Sequence, residues 1–267
     1  MKVSRSAFYE WQRKKPLTMS GAMRKLQQAT VRLFYEHKQS LGSRRLKQKL
    51  NDAGFHVGRF KTRRLMASLS LIARYPKRYR VTTDSQHDNR IAPNLLEREF
   101  IVSAPDKVWT TDITYIRTHQ GWQYLAVVMD LYSRRIVGWS LAGHMRTELC
   151  VEALQMACWR RKPGKGLMHH SDRGSQYTSD EYRQLLSAMG MQVSHSGKGQ
   201  CWDNAPMERF FRSLKYEYLE YETLRTGSDA RLAILDYLAY YNSKRPHTVL
   251  GYFSPMEYEQ LSLTKVA

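Results

Sequence analysis

Three acidic residues carry the strongest chemical signal in this chain: Asp112, Asp172 and Glu208. Asp112 sits in Val108-Trp109-Thr110-Thr111-Asp112-Ile113-Thr114-Tyr115-Ile116, which alternates like a strand. Asp172 follows the short apolar run Leu167-Met168-His169-His170 and precedes the turn residues Arg173-Gly174-Ser175. Glu208 lies in Asn204-Ala205-Pro206-Met207-Glu208-Arg209-Phe210-Phe211-Arg212-Ser213-Leu214-Lys215, which reads as a helix. Only folding can bring together carboxylates from a strand, a strand end and a helix. Three that converge make a set of hard oxygen ligands suited to Mg2+ or Mn2+. A pair of such ions serves phosphoryl transfer by activating the attacking oxygen and stabilising the leaving one. Each residue alone has a plainer reading: a hydrogen-bonded structural aspartate, an Asx-turn with Arg173-Gly174, and an exposed helical glutamate.

Order and spacing favour the catalytic reading. Thirty-five residues separate Asp172 from Glu208. Lys215 follows Glu208 by seven positions, two helical turns on and so on the same face. Arg209 and Arg212 add cations to that helix, for phosphate contact or as a solvated basic face. The pattern resembles the Asp-Asp-Glu triad of transposases and retroviral integrases. The words around it narrow the resemblance: Trp109-Thr110-Thr111-Asp112-Ile113-Thr114-Tyr115, His170-Ser171-Asp172-Arg173-Gly174-Ser175-Gln176-Tyr177, Asp203-Asn204-Ala205-Pro206-Met207-Glu208, Tyr241-Asn242-Ser243-Lys244-Arg245-Pro246-His247 and Leu250-Gly251-Tyr252-Phe253-Ser254-Pro255. Together, and in this order, they resemble the OrfB-type transposase of the bacterial insertion-sequence family numbered three. Many relatives have Ser after the Glu, where this chain has Arg209.

The resemblance implies a ribonuclease-H-like fold, with the first strand central and beside the fourth so that Asp112 meets Asp172. It implies Asp112, Asp172 and Glu208 as catalytic residues and ligands of two Mg2+ or Mn2+ ions. It implies cleavage of a strand at the element's end, then attack of the new 3′-hydroxyl on a second phosphodiester. The expected partners are terminal-repeat and target DNA, a second copy of the chain, and an upstream OrfA product, fused or separate, since no stretch of this chain sustains zipper heptads. A DNA-binding regulator without catalysis, or a nuclease that cleaves without joining, are the competing readings; the intact triad opposes the first and the Arg245-Pro246-His247 and Leu250-Gly251-Tyr252 words the second.

Charge points the same way. The formal net charge is +19, and residues 1–80 hold twenty-one Lys or Arg against Glu10, Glu36 and Asp52. The basic excess therefore belongs almost wholly to the first third, as expected of a segment that binds a polyanion. No apolar run approaches the ~20 residues needed to span a bilayer. Cys150, Cys158 and Cys201 show no CxxC pairing and fit a reducing cytoplasm. His169, His170 and His195 lack zinc spacing, which leaves structural or substrate-facing roles. Gly197-Lys198-Gly199-Gln200 falls short of a P-loop and reads as a loop over DNA.

The positioning elements follow from periodicity. Met19 to Lys38 has a helical period, Ser43 is placed to cap a second helix through Leu46 and Leu50, and Gly58 to Leu69 resumes as a basic helix. This short-helix, turn, basic-helix order predicts a helix-turn-helix over about 40–72, with an αα-hairpin packed on the core as the alternative. Its candidate DNA contacts are Arg44, Arg45, Lys47, Arg59, Lys61, Arg63 and Arg64. Residues 75–104, with their prolines and the polar run Thr82–Asn89, read as a linker after a helical region at 1–74. Strands are expected at Val108–Ile116, Gln123–Asp130, Ile136–Leu141, Leu167–His170 and Gln192–His195, and helices at Thr147–Trp159, Ser179–Met189 and Asn204–Tyr218. This β-β-β-α-β-α-β-α order predicts an α/β (α+β) catalytic core over 105–225 with a mixed sheet and flanking helices. Asn204 is a candidate N-cap and Pro206 fits the first turn. Residues 226–267 form a helical extension packed on the core, with a helix at Asp229–Tyr241; Arg245 and His247 there either contact the DNA end or clamp the core shut.

Overall fold

The computed structural model describes residues 4–13, 20–74, 91–197 and 200–264. Most of the expected linker, 75–90, and part of the Gly197-Lys198-Gly199-Gln200 loop lie outside them. The chain divides into two units, Met1–Ala73 and Arg74–Ala267.

The first unit is helical: α1 (Arg5–Arg13), α2 (Gly21–Glu36), α3 (Ser43–Asp52) and α4 (Arg59–Ser68). Apolar residues three and four apart on α2 to α4 close one core of Leu26, Leu33, Phe34, Leu46, Leu50 and Leu65. The hydroxyl of Ser20 caps α2 by accepting from the Met23 amide at 3.2 Å. Ser43, expected to cap α3, is instead its first residue; Gly42 holds the cap position, with no side chain to bond. Met23 and Phe60, counted in the helical apolar pattern, stand exposed. Arg59, Lys61, Arg63 and Arg64 are exposed along α4, and Arg44 is exposed on α3, while Arg45 and Lys47 are half-buried.

The second unit is built on a five-stranded mixed sheet in the order β3-β2-β1-β4-β5. Its strands are β1 (Val108–Thr118), β2 (Gly121–Asp130), β3 (Ile136–Ala142), β4 (Met168–Ser171) and β5 (Gln192–His195). The first three form an antiparallel meander, and β4 and β5 join parallel to β1. Helices α5 (Thr147–Arg161), α6 (Ser175–Thr178), α7 (Asp180–Ala188), α8 (Ala205–Ser213), α9 (Gly227–Ser243) and α10 (Pro255–Thr264) flank it.

The near-continuous apolar run of β2 follows from burial of both its faces. Ala126 and Val128 join Leu149, Ala153, Leu154 and Ala157 of α5. Leu125, Val127 and Met129 join Met207 and Phe210 of α8 and Ile234 and Tyr237 of α9. The close approach of α5 depends on Gly138, where an added Cβ would lie 2.2 Å from the Ala153 carbonyl oxygen.

Two expectations change. The helix of Glu208 does not run unbroken to Tyr218: it ends at Ser213 and widens into a π turn over Leu214–Tyr218. Residues 91–104 do not lie free of the core, because their backbone needs are met there. The Leu95 amide donates to the Ser194 hydroxyl at 2.9 Å, Ala92 to His195 Nδ1 at 2.9 Å, and Leu96 is 3% exposed.

Candidate active site

The β1–β4 register pairs Thr110 with His170. Asp112 and Asp172 each lie two residues beyond that pair, Asp112 in the middle of β1 and Asp172 just past the end of β4, which sets them nearly level. Glu208 arrives from the opposite direction, on the first turn of α8. Asp172 and Glu208 both lie close enough to act on Asp112. The carboxyl of Asp112 is held well above the usual range, chiefly by removal from water and next by the charge of Asp172; the Ile113 amide opposes this, Glu208 adds to it and Lys215 offsets it in part. Asp112 Oδ1 accepts from the Ile113 amide at 2.7 Å and Asp172 Oδ1 from the Gly174 amide at 2.9 Å. The Asx-turn reading and the site reading of Asp172 thus hold together. In these rotamers no three His, Cys, Asp or Glu side chains among the described residues are gathered as metal ligands. The donor chemistry is nonetheless that of a hard divalent cation: three carboxylates, which stabilise one another's neutral forms when nothing positive lies between them.

The start of α8 is tied to β1 through Asn204. Asn204 occupies the N-cap position but makes no side-chain cap bond. Its Oδ1 accepts from the Thr110 hydroxyl at 2.5 Å and its Nδ2 donates to the Thr111 carbonyl at 3.0 Å. Glu208, four residues on, lies one helical turn from Asn204; it is exposed, yet close enough for its charge to act on Asp112. Pro206 sits in the first turn as expected. Just before, the buried Asp203 accepts from Asn94 at 2.9 Å, Arg98 at 2.7 Å and the Gly197 amide at 2.8 Å. Burial works against its charge, but the Arg98 hydrogen bond and its companions prevail and hold the carboxyl below the usual range.

The cations fall into two groups. Lys215 lies in the π turn with Nζ 4.1 Å from the Tyr115 ring centre, and loss of water pulls its ammonium down to about 8 against the opposing charge of Asp112. Arg209 and Arg212 are exposed on α8. Arg245 is turned inward, 8% exposed, and bonds Glu217 Oε1 at 2.9 Å and the Ser213 hydroxyl at 3.0 Å. His247 is buried with its ring edge-on to Tyr241, centres 4.8 Å apart. Arg245 therefore clamps the segment after α9 onto the π turn.

The three histidines are structural cross-links between β4, β5 and their neighbours. His169 Nε2 meets the Tyr182 hydroxyl at 2.9 Å, and His170 meets the Ser194 and Ser196 hydroxyls at 2.9 and 3.2 Å. Burial, more than their mutual repulsion, lowers His169 to about 3, and burial lowers His170 to about 4, so both are neutral. No helix among the described residues is long and apolar enough to cross a membrane.

Known proteins share this organisation. An integrase core domain model matches residues 102–201, a second integrase core domain model matches 189–255, and an HTH-like domain model matches 23–79. A 31 kDa protein of insertion element IS600 from Shigella sonnei is 38% identical over 97% of this chain and 95% of its own length. Transposase InsF for insertion sequence IS3A from Escherichia coli K12 is 36% identical over 98% of this chain and 92% of its own. Among solved structures, a chain of the simian T-cell lymphotropic virus intasome with PP2A regulatory subunit B56 gamma aligns with TM-score 0.50 and 14% identity, over 86% of this chain and 73% of that one. That likeness concerns the fold alone.

Proposed function

The chain belongs to the insertion-sequence transposases of the IS3 type, and from that membership we propose that Asp112, Asp172 and Glu208 form its catalytic centre. Its broad activity is transposition, a polynucleotidyl transfer within DNA recombination and integration. The observation that carries the finer reading is the level placement of Asp112 and Asp172 across β1 and β4, with Glu208 close enough to act on Asp112. These three residues would hold Mg2+ or Mn2+, two ions in all, which would activate the attacking oxygen and stabilise the leaving one.

The chain's own residues do the rest. Asn204 fixes Glu208 over β1, and the Ile113 and Gly174 amides orient the two aspartates. Arg209, Arg212 and Lys215 neutralise phosphates that flank the reacting bond. Water attacks phosphorus at the element's end, the P–O3′ bond breaks, and a 3′-hydroxyl and a 5′-phosphate result. That hydroxyl then attacks a target phosphodiester and displaces the target's own 3′-oxygen, so the number of ester bonds is conserved. The exposed basic face of α4, with Arg44, Arg45 and Lys47 of α3, binds DNA. The family resemblance supports an OrfA product, fused or supplied separately, and a second copy of this chain as partners in pairing two ends.

The test is incubation of the protein with its native element's end DNA and Mg2+, with and without the upstream product. Joined strands support the reading. Cleaved but never joined strands would make the protein a nuclease, and DNA binding with neither product would make it a regulator.

A further inference from the structure

Beside the carboxylates, a cleft opens between the far flank of α8, the β2–β3 turn and the segment after α9. About 230 Å3 of it is reachable by water, less than the ~300–1,000 Å3 of whole small-molecule sites, so it suits one part of a larger ligand. Its wall is apolar and aromatic: Phe100, Pro206, Phe210, Tyr241 and Val249. Three arginines, Arg134, Arg209 and Arg245, also line it.

Arg134 has no structural task large enough to explain its burial. It stands in the β2–β3 turn at φ +62°, a backbone conformation that disfavours a long side chain. Its Nη2 donates to the Phe100 carbonyl at 2.8 Å, while Nη1 is buried without a hydrogen-bond partner. No ion pair joins it to a described acid. Asp130 is near enough to favour its charge, but that carboxylate already accepts from the Asp106, Tyr132 and Ser133 amides. Arg209 lies close enough to repel it. An incompletely satisfied guanidinium facing another cation is a site for an anion. Arg245 does not share this character, because Glu217 neutralises it.

An apolar wall with two uncompensated cations suits a ligand that has a flat aromatic part and a phosphate. A paired base hides its faces in the stack, so only an unpaired one offers them. We propose that this cleft receives one unpaired nucleotide of the DNA, its base against the half-buried Phe100 and Pro206 and its phosphate on Arg134 and Arg209. Arg209 adjoins Glu208, so the captured nucleotide flanks the reacting phosphodiester. This rests on the transposase reading and extends it: DNA frayed at the element's end is the preferred substrate.

The test compares binding of a blunt duplex with the same duplex carrying a short unpaired tail, both labelled, by full-length wild type, Arg134→Gln and Val249→Trp. Wild type is expected to favour the tailed DNA by about tenfold, the scale of one base stacked on aromatics. Both variants should lose most of that preference, one through the charge and the other by filling the mouth. A 2-aminopurine in the tail should be quenched on wild-type protein and brighter on Phe100→Ala. A wild type that joins DNA yet binds both substrates equally overturns the cleft's role and leaves the transposase reading intact. A preference that survives in both variants overturns it too, and a wild type that binds neither DNA overturns both readings.

Discussion

Asn204 reaches from the head of α8 back to Thr110 on β1, accepting the threonine hydroxyl at 2.5 Å. Thr110 is two residues from Asp112, and Asn204 one helical turn from Glu208, so this bond and the companion bond to the Thr111 carbonyl at 3.0 Å set the gap between the two carboxylates. The pair is buried, where a lost partner leaves a polar group unsatisfied at a cost of ~1–3 kcal/mol. Asn204→Ala is expected to lower stability by about that amount and the joining rate by more than stability explains, with DNA affinity nearly held. A rate that tracks only the folded fraction would reduce Asn204 to a fold element.

Substitution of the carboxylates should separate chemistry from folding. Asp112→Asn, Asp172→Asn and Glu208→Gln each remove a negative ligand with little change of size. Each is expected to cost roughly a thousandfold or more in joining, ~4 kcal/mol of barrier. Because Asp112 is half-buried beside like charges, Asp112→Asn should not lower the melting temperature. Near-wild-type strand transfer in Mg2+ by any one variant would remove that residue from the mechanism.

At Gly138 the sheet and α5 touch backbone to backbone. An alanine Cβ there would meet Ala153 O at 2.2 Å and Ala157 N at 2.8 Å, and neither atom can step aside. Gly138→Ala should destabilise by ~1–3 kcal/mol or more through overpacking, read as a lower urea midpoint. Gly164→Ala, where nothing lies within 4 Å of the new Cβ, is the control.

The strands of the core were legible because each alternates or runs apolar between turn residues, and β4 was found four residues long although its ends moved by one. The candidate triad stood out in the sequence because carboxylates suit a divalent cation and because its order, spacing and flanking words resemble the transposase pattern. What periodicity missed depends on partners distant in sequence. Asn204 at a helix start looks like an N-cap, and nothing local says that its amide is needed by a strand some ninety residues earlier. The π turn after Ser213 is stabilised by Arg245 gripping Glu217, a pairing that spans twenty-eight positions. Arg134 sat in an ordinary turn sequence; its positive φ and its burial belong to the tertiary structure alone.

Two acids of the core contribute to stability with opposite dependence on pH. Burial, more than the opposing Asp106 amide, raises Asp130 from 3.8 to about 6. A raised folded pKa means the native state binds more protons between those values, so stability grows as pH falls from about 6 toward 4. Glu259 has the opposite sign. Burial works against its charge, but hydrogen bonds from Ser133, Arg161 and Arg135 hold it below its ordinary 4.5. Its contribution is present above that value and is lost as pH falls through the lowered one. The neutral His169 and His170, depressed below 6.5, lose stability over the same range, so each acid is read by difference. The advantage of wild type over Asp130→Asn in urea midpoint should grow as pH falls from about 6 toward 4, and its advantage over Glu259→Gln should shrink as pH falls below 4.5; a difference that does not move with pH counts against that assignment.

The basic helix α4 makes the last expectation quantitative. Arg59, Lys61, Arg63 and Arg64 are all exposed, while Thr62, Leu65 and Met66 hold the helix in its unit. Those four charges are therefore removable without touching the core. A cation that neutralises a DNA phosphate releases condensed counterions, and each such contact adds ~0.9 to the slope of log affinity against log salt. If α4 lies against the backbone, replacing all four with Gln should reduce the slope by about 3–4 and weaken binding alike on end and unrelated sequences. If the helices form only a packed hairpin with solvated charge, the slope will not change. A loss confined to the element's own end sequence would instead show that some of the four read bases, since phosphate contacts carry no sequence information.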